Sequence, residues 1–221
     1  MKNHRSLTDG YTVEPLTMAA IPEVVDMLNS HSMATLGIKT EVLEDDIAYW
    51  LTPGLNLESD TRIIRDSHGK VVGFAEFWDL AEPHTRYNVF GTVHPDYEGL
   101  GIGSYLLAWL EDRAQLSLVK APPEAQVILA HGIDSRLAGS ARMLEANGFQ
   151  LTWRYYHMHI ELDQPIPEPN IPVGITIWTV QNEEDQRRLL LSLWDAFHDH
   201  WGYVEEPFEV YYDAGSTGPI H

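Results

Sequence analysis

Three glycines, Gly99, Gly101 and Gly103, alternate within Glu98-Gly99-Leu100-Gly101-Ile102-Gly103, between a strand-like stretch ending at Val93 and a helical stretch from Tyr105 to Leu118. Without Cβ atoms, such a loop can turn its backbone N–H groups inward at the positive end of the following helix, which cradles a pyrophosphate. A tight strand-to-helix turn without a ligand is the alternative. Dinucleotide-binding folds carry a similar loop, but in their first βαβ unit, with an acidic ribose reader about 20 residues further on. Here four strand-like stretches precede it.

The first of these is Tyr11-Thr12-Val13-Glu14-Pro15-Leu16. Ile21, Val24, Val25 and Leu28 then recur on one face of a helix from about Met18 to Ser30, and Val42, Ile47 and Trp50 mark a second helix near Glu41 to Leu51, ended by Pro53-Gly54. Thr61 to Arg65 and Val71 to Phe77 flank the turn-rich Asp66-Ser67-His68-Gly69-Lys70 as a hairpin, and Arg86 to Val93 continues the antiparallel meander into the glycine loop. Gln126 to Ala130 is a short apolar run that predicts a strand buried on both faces. A helix from Arg136 to Ala146 stops at Asn147-Gly148, and Phe149 to Leu162 predicts a long last strand. The order predicts an α/β domain over residues 11–162, with a mixed, mostly antiparallel central sheet and helices on both faces, preceded by a flexible N-terminus at 1–10.

Pro165, Pro167, Pro169 and Pro172 stiffen residues 163–173 into an extended linker. From 174 to 221 the pattern repeats the opening of the first domain. Gly174 to Val180 reads as a strand, Glu183 to His200 as a helix with Leu189, Leu190, Leu193, Trp194 and Phe197 on one stripe, and Phe208 to Tyr212 as one more helical turn. Such a partial repeat is too short to bury its own core, so it packs on the first domain or on another chain, which makes a homodimer through this segment an expectation.

Acidic residues outnumber basic ones 33 to 14, for a net charge of -19. That balance repels nucleic acid and anionic lipid and steers cationic partners inward. No stretch approaches the ~20 apolar residues of a membrane span, and no signal core precedes Gly10, so the expected location is cytoplasmic. With no Cys, disulfides, thiolate metal sites and cysteine nucleophiles are excluded.

Val93-His94-Pro95-Asp96-Tyr97-Glu98-Gly99-Leu100-Gly101-Ile102-Gly103-Ser104-Tyr105-Leu106-Leu107 resembles the central motif of the GNAT superfamily of acetyltransferases. The element order from Tyr11 to Leu162 is similar to that family too. Residues from Gly174, including Phe197-His198-Asp199-His200-Trp201-Gly202, look like the start of a second such domain, as in tandem GNAT proteins of the mycothiol synthase type. The resemblance implies acetyl-CoA as co-substrate, with Gly91, Thr92 and Val93 pairing with the pantetheine arm. Glu98, Gly99, Leu100, Gly101, Ile102, Gly103 and Ser104 would hold the pyrophosphate. It also identifies two departures. The family usually has Gln or Arg where this chain has Glu98, and the tyrosine that often protonates the departing thiolate corresponds to Leu144.

Acyl transfer to an amine needs a base, a polarised carbonyl and a proton for the thiolate. Glu76 could act as a base through water, or pair with Arg86 or Arg62. His131, at the end of the buried strand, is a second candidate, or a structural histidine. His31, near the end of the first helix, would face the acceptor groove if the resemblance holds, or be a solvated loop residue. Tyr155 and Tyr156 are more in keeping with strand packing. His198 and His200, two apart on a helix, point to different faces and cap a helix end rather than chelate, so no metal is expected. The early helices contain no distinctive charged cluster. The readings left are an N-acetyltransferase of a small, cationic amine, a non-catalytic CoA-binding module, or a scaffold without the ligand.

Overall fold

The computed structural model describes residues 7, 9–79, 82–156, 158, 160–199 and 207–215. The chain divides into two compact units, Met1–Tyr155 and Tyr156–His221.

In the first unit, β1 (Thr12–Glu14) leads through a 3-10 turn into α1 (Ile21–Leu36), followed by α2 (Leu43–Trp50) and the single turn α3 (Leu57–Asp60). The meander is β2 (Thr61–Arg65), β3 (Val71–Trp78) and β4 (Arg86–Val93); α4 (Ile102–Ser117), β5 (Ile128–His131) and α5 (Ala138–Ala146) complete the unit. The sheet is open, in the order β1-β2-β3-β4-β5. Its first four strands pair antiparallel, and β5 runs parallel to β4. The predicted mixed α/β sheet is therefore the observed one.

Helices cover both faces because the strands are apolar on both. Ile21, Val24, Val25 and Leu28 of α1 bury against Ile63 and Phe74, with Trp50 of α2 closing that side. On the other face Ile102, Leu106, Leu110 and Ala114, spaced four apart on one stripe of α4, pack on Ile64, Val72, Ala75, Phe77, Tyr87 and Val89. The start of α4 lies so close to the sheet that a Cβ on Gly73 would meet Ile102 Cγ2 at 2.8 Å. Arg113 anchors the far end, donating from Nε to Asp60 Oδ1 at 2.8 Å while its guanidinium lies over Phe77. Each fully buried Leu or Ile here contributes about 1.5–3 kcal/mol.

Two expectations fail at the sheet edge. The run near Ile128 is not buried on both faces: Ile128 is 48% exposed, because β5 has a strand on one side only. Among the described residues of 149–162 there is no strand, and Tyr155 and Tyr156 are 71% and 81% exposed rather than packed. Strand propensity cannot hold a segment whose N–H and C=O groups meet no neighbouring ladder.

In the second unit, α6 (Glu183–Ala196) is capped by Asn182, whose Oδ1 accepts from the Asp185 N–H at 2.9 Å, and α7 (Phe208–Gly215) follows. Arg187 of α6 pairs with Glu209 and lies over the rings of Phe208 and Tyr212. Residues 174–180 form no strand, for the same lack of a partner. His200 lies outside the described residues, and the His198 ring stacks edge-on with Trp194. No helix among the described residues is long and apolar enough to cross a membrane.

Candidate active site

The parallel ladder between β4 and β5 stops at Val89 and His131. Beyond it β4 continues through Phe90, Gly91, Thr92 and Val93 with only β3 beside it among the described strands, and β5 ends at His131. The gap opens into a cleft of about 550 Å³, within the usual range of a ligand site. Neighbouring residues of a strand direct their backbone groups to opposite sides. His94 N–H donates to Val72 O on the β3 side, and Val93 O accepts from the His31 ring on the open side. By that alternation Gly91, like Val93, turns its N–H and C=O toward the cleft.

The glycine loop closes one end. Gly99 and Gly101 hold φ of +76° and +87°, a left-handed backbone that a Cβ would strain. Gly101 is the N-cap of α4 and provides no side-chain cap, so the first free N–H groups of the helix, from Ile102, Gly103 and Ser104, point outward from its positive end. This is an anion cradle without a built-in anion. The loop is braced from behind: Tyr97 donates its phenol to Asp66 Oδ2 at 2.6 Å, and Asp66 also accepts from the His68 and Lys70 N–H groups of the β2–β3 turn.

Of the residues expected at the cofactor, Gly91, Thr92, Val93, Glu98, Gly99, Gly101, Gly103 and Ser104 line this one cleft. Two do not. Leu100 is half exposed on the outer side of the loop, and the Ile102 side chain is buried under α4. Glu98 is exposed to water, so its charge is screened from the cradle. Leu144 also lines the cleft, an apolar wall where a tyrosine would have offered a proton.

His131 lines the cleft as well. Its Nδ1 lies 2.9 Å from Gly132 O, and because a carbonyl only accepts, Nδ1 carries the hydrogen and Nε2 is left as a lone pair beside Gly91. Burial pushes its pKa down, so the ring is neutral at pH 7. His31 sits within α1 rather than in a loop, and it too faces the cleft, donating Nδ1–H to Val93 O at 3.2 Å.

Glu76 is elsewhere. It is 5% exposed on the α1–α2 face of β3, accepts from Trp50 Nε1 at 2.7 Å and from Tyr49 Oη at 3.0 Å, and is not among the residues lining the cleft. Neither Arg62 nor Arg86 pairs with it, because Arg62 donates to Glu58 O and lies over Trp109 while Arg86 donates to Asn88. Burial raises its pKa, opposed by the indole and phenol donors.

The absence of a charged cluster in the early helices is also corrected. Glu41 lines the cleft, with Asp46 beside it, and the Asp46 carboxyl is pushed up to about 6, first by burial and then by Glu41, Asp45 and Glu76. The acidic positions Glu41, Asp45 and Asp46 are visible in the sequence; their convergence with Glu76 of β3 is not. Among the described residues no cluster could hold a metal ion.

An open mixed sheet that parts beside a glycine-capped helix is a GNAT-like fold. The sequence profile of the Acetyltransferase (GNAT) family matches residues 25–149, more than half of the chain, and the chain belongs to that family. The chain is 28% identical over 151 residues to a mycothiol acetyltransferase of Frankia casuarinae, covering 67% of this chain and 41% of that one. It thus spans less than half the length of that relative. A GCN5-related N-acetyltransferase from Sphaerobacter thermophilus shares the fold at a TM-score of 0.78 and 24% identity, covering 96% of this chain and 65% of that one. A putative acetyltransferase from Salmonella typhimurium, solved with its cofactor acetyl-CoA, aligns at a TM-score of 0.53 and 21% identity over 71% of this chain and 88% of that one.

Proposed function

We propose that the chain is an acetyl-CoA-dependent N-acetyltransferase acting on a small amine. The observation that carries this is the single cleft that combines the free N–H groups at the start of α4 with the open edge of β4. The N–H groups of Ile102, Gly103 and Ser104 hold the pyrophosphate, and the N–H and C=O groups of Gly91 with the Val93 N–H take the amide-bearing arm. The cofactor supplies an acyl carbon activated as a thioester: transfer forms a C–N bond, breaks the C–S bond, takes one proton from the amine and returns one to the thiolate. His131 Nε2, a lone pair in the cleft on a neutral ring, takes the amine proton. Leu144 provides no acid, so the returned proton comes from His131 itself or from water.

That same apolar side chain favours a second reading, a CoA-binding module that does not catalyse. Residues 174–221 belong to the proposal as the opening of a second GNAT-like unit. Calorimetry with acetyl-CoA tests the cradle, with a saturable heat expected and none refuting it. Thiol release across a panel of amines then tests transfer; binding without release from any acceptor would leave the non-catalytic module.

A further inference from the structure

Thr92 and Phe90 pair across the ladder with Phe74 and Glu76, so their side chains project on the α1–α2 face, whereas His131 pairs with Val89 on the α4 face. The cleft therefore has two sides. One contains the glycine loop. The other is formed by Leu28, Leu36, Phe90, Thr92 and Glu41.

The second side is unbalanced in charge. Among the described residues lining the cleft there are three carboxylates, Glu41, Glu98 and Asp134, and no Lys or Arg. Asp134 is neutralised by Arg136 at 2.8 Å, and Glu98 lies in water at the loop. The half-buried Glu41 carboxylate accepts from its neighbour Thr40 Oγ1 at 2.8 Å and shares a side-chain hydrogen bond with the Asp46 carboxyl, so its charged neighbour is a second acid rather than a cation. A half-buried carboxylate backed by further carboxylates attracts a cation and repels an anion. Independently, Thr92 is 8% exposed and its Oγ1 has no hydrogen-bond partner in the protein, although a buried hydroxyl is normally satisfied. Thr92 is among the residues that line the same cleft as Glu41.

Resting on the acetyltransferase reading, we infer that the acceptor is an aliphatic diamine or polyamine: Glu41 and Thr92 hold the ammonium that is not acetylated, Leu28, Leu36 and Phe90 line its methylene chain, and acceptors bearing a carboxylate are excluded. Two matched pairs of probes isolate the terms. L-ornithine is 1,4-diaminobutane with a carboxylate added, and n-butylamine is 1,4-diaminobutane without its second ammonium.

With the full chain and saturating acetyl-CoA, thiol release should give 1,4-diaminobutane a kcat/KM about tenfold or more above n-butylamine and further still above L-ornithine, the size of one lost charge-assisted contact. Glu41→Gln should collapse the diaminobutane-to-butylamine ratio to about one, mainly through KM, and Thr92→Val should lower it about threefold to tenfold. L-ornithine turned over as well as 1,4-diaminobutane, or an unchanged ratio in Glu41→Gln, overturns the inference. Calorimetric titration of 1,4-diaminobutane into the chain with CoA separates the two readings. Binding that needs Glu41, without thiol release, sinks the transferase and keeps the amine site. Release with every amine alike sinks the site and keeps the transferase. No diaminobutane binding and no turnover overturns both.

Discussion

Gly103 allows the phosphate cradle to be tested without disturbing the fold. It is the second residue of α4, and a Cβ built on it would lie 3.4 Å from Met143 Sδ and 3.7 Å from Val93 Cγ2, distances of ordinary contact against a flexible thioether and a methyl. Gly103→Ala therefore has room. It also removes backbone entropy from the unfolded chain, worth about 0.5 kcal/mol near a helix end, which for a unit of this size raises Tm by about 1–2 °C. In the complex the same methyl would stand beside the N–H groups that hold the pyrophosphate. Losing one or two charge-assisted hydrogen bonds there weakens acetyl-CoA binding by about 2–3 kcal/mol, roughly 30- to 150-fold in Kd. Melting with and without acetyl-CoA reads both effects, and calorimetry gives the Kd. The expected result is an apo Tm at or above wild type with the ligand-induced upshift gone. An unchanged Kd would falsify the assignment of the cradle; a lowered apo Tm would refute the packing around Met143.

Gly101→Ala should behave in the opposite way, losing about 1–2 kcal/mol of apo stability because Ala must adopt the positive φ of the cap, and thermal melting of the apo chain checks it. Asp46→Asn tests the acidic cluster through pH. The folded Asp46 carboxyl titrates at about 6 against an ordinary 3.8, so its neutral form favours the fold at low pH and that contribution is lost as pH rises through about 6. Because the group is only partly buried and shares its titration with Glu41, the effect is about 1 kcal/mol, and Asp46→Asn should gain about 2–4 °C at pH 8 but not at pH 4; equal shifts at both would refute the placement. Thr92→Val should not lower the apo Tm, since its hydroxyl has no protein partner to lose, and a clear drop would reveal one.

How far the sequence could be read depended on the range of the interactions. The β2–β3 hairpin is set locally: Asp66 Oδ1 accepts two N–H groups of its own turn and Gly69 takes φ of +83°, so Thr61–Arg65 and Val71–Trp78 fall within a residue of where their composition puts them. Gly99 and Gly101 are equally local, each fixed by its own positive φ. Gln126 to Ala130 does hold a strand, at Ile128–His131, but the burial expected of it and the strand expected of Phe149 to Leu162 are absent, because an apolar run records a strand's appetite for burial, not whether a neighbouring strand exists to satisfy it. The acceptor side was illegible for a related reason. Glu41, Asp46 and Glu76 lie up to 35 residues apart, and only the crossing of α2 over β3 brings them together; nothing in the residue identity of Thr92 says that its hydroxyl lacks a partner.

The two sides of the cleft place opposite demands on charge. Under the proposed function, the start of α4 attracts phosphate by backbone dipoles alone, since no Lys or Arg among the described residues lines the cleft. The side facing α1 and α2 carries the uncompensated carboxylate of Glu41. A cationic side chain near the cradle would have tightened phosphate binding, but within one small cleft it would also have neutralised Glu41 and repelled an ammonium. Cofactor attraction by N–H groups rather than by cations is thus what keeps the field around Glu41 negative. Electrostatic attraction across that distance falls with ionic strength, whereas hydrogen bonds to backbone N–H groups fall less. Raising salt should therefore weaken the amine far more than acetyl-CoA, and calorimetry of each ligand across a salt series measures the two slopes. Equal slopes would mean that the two sides share one field, and that Glu41 is not what selects the acceptor.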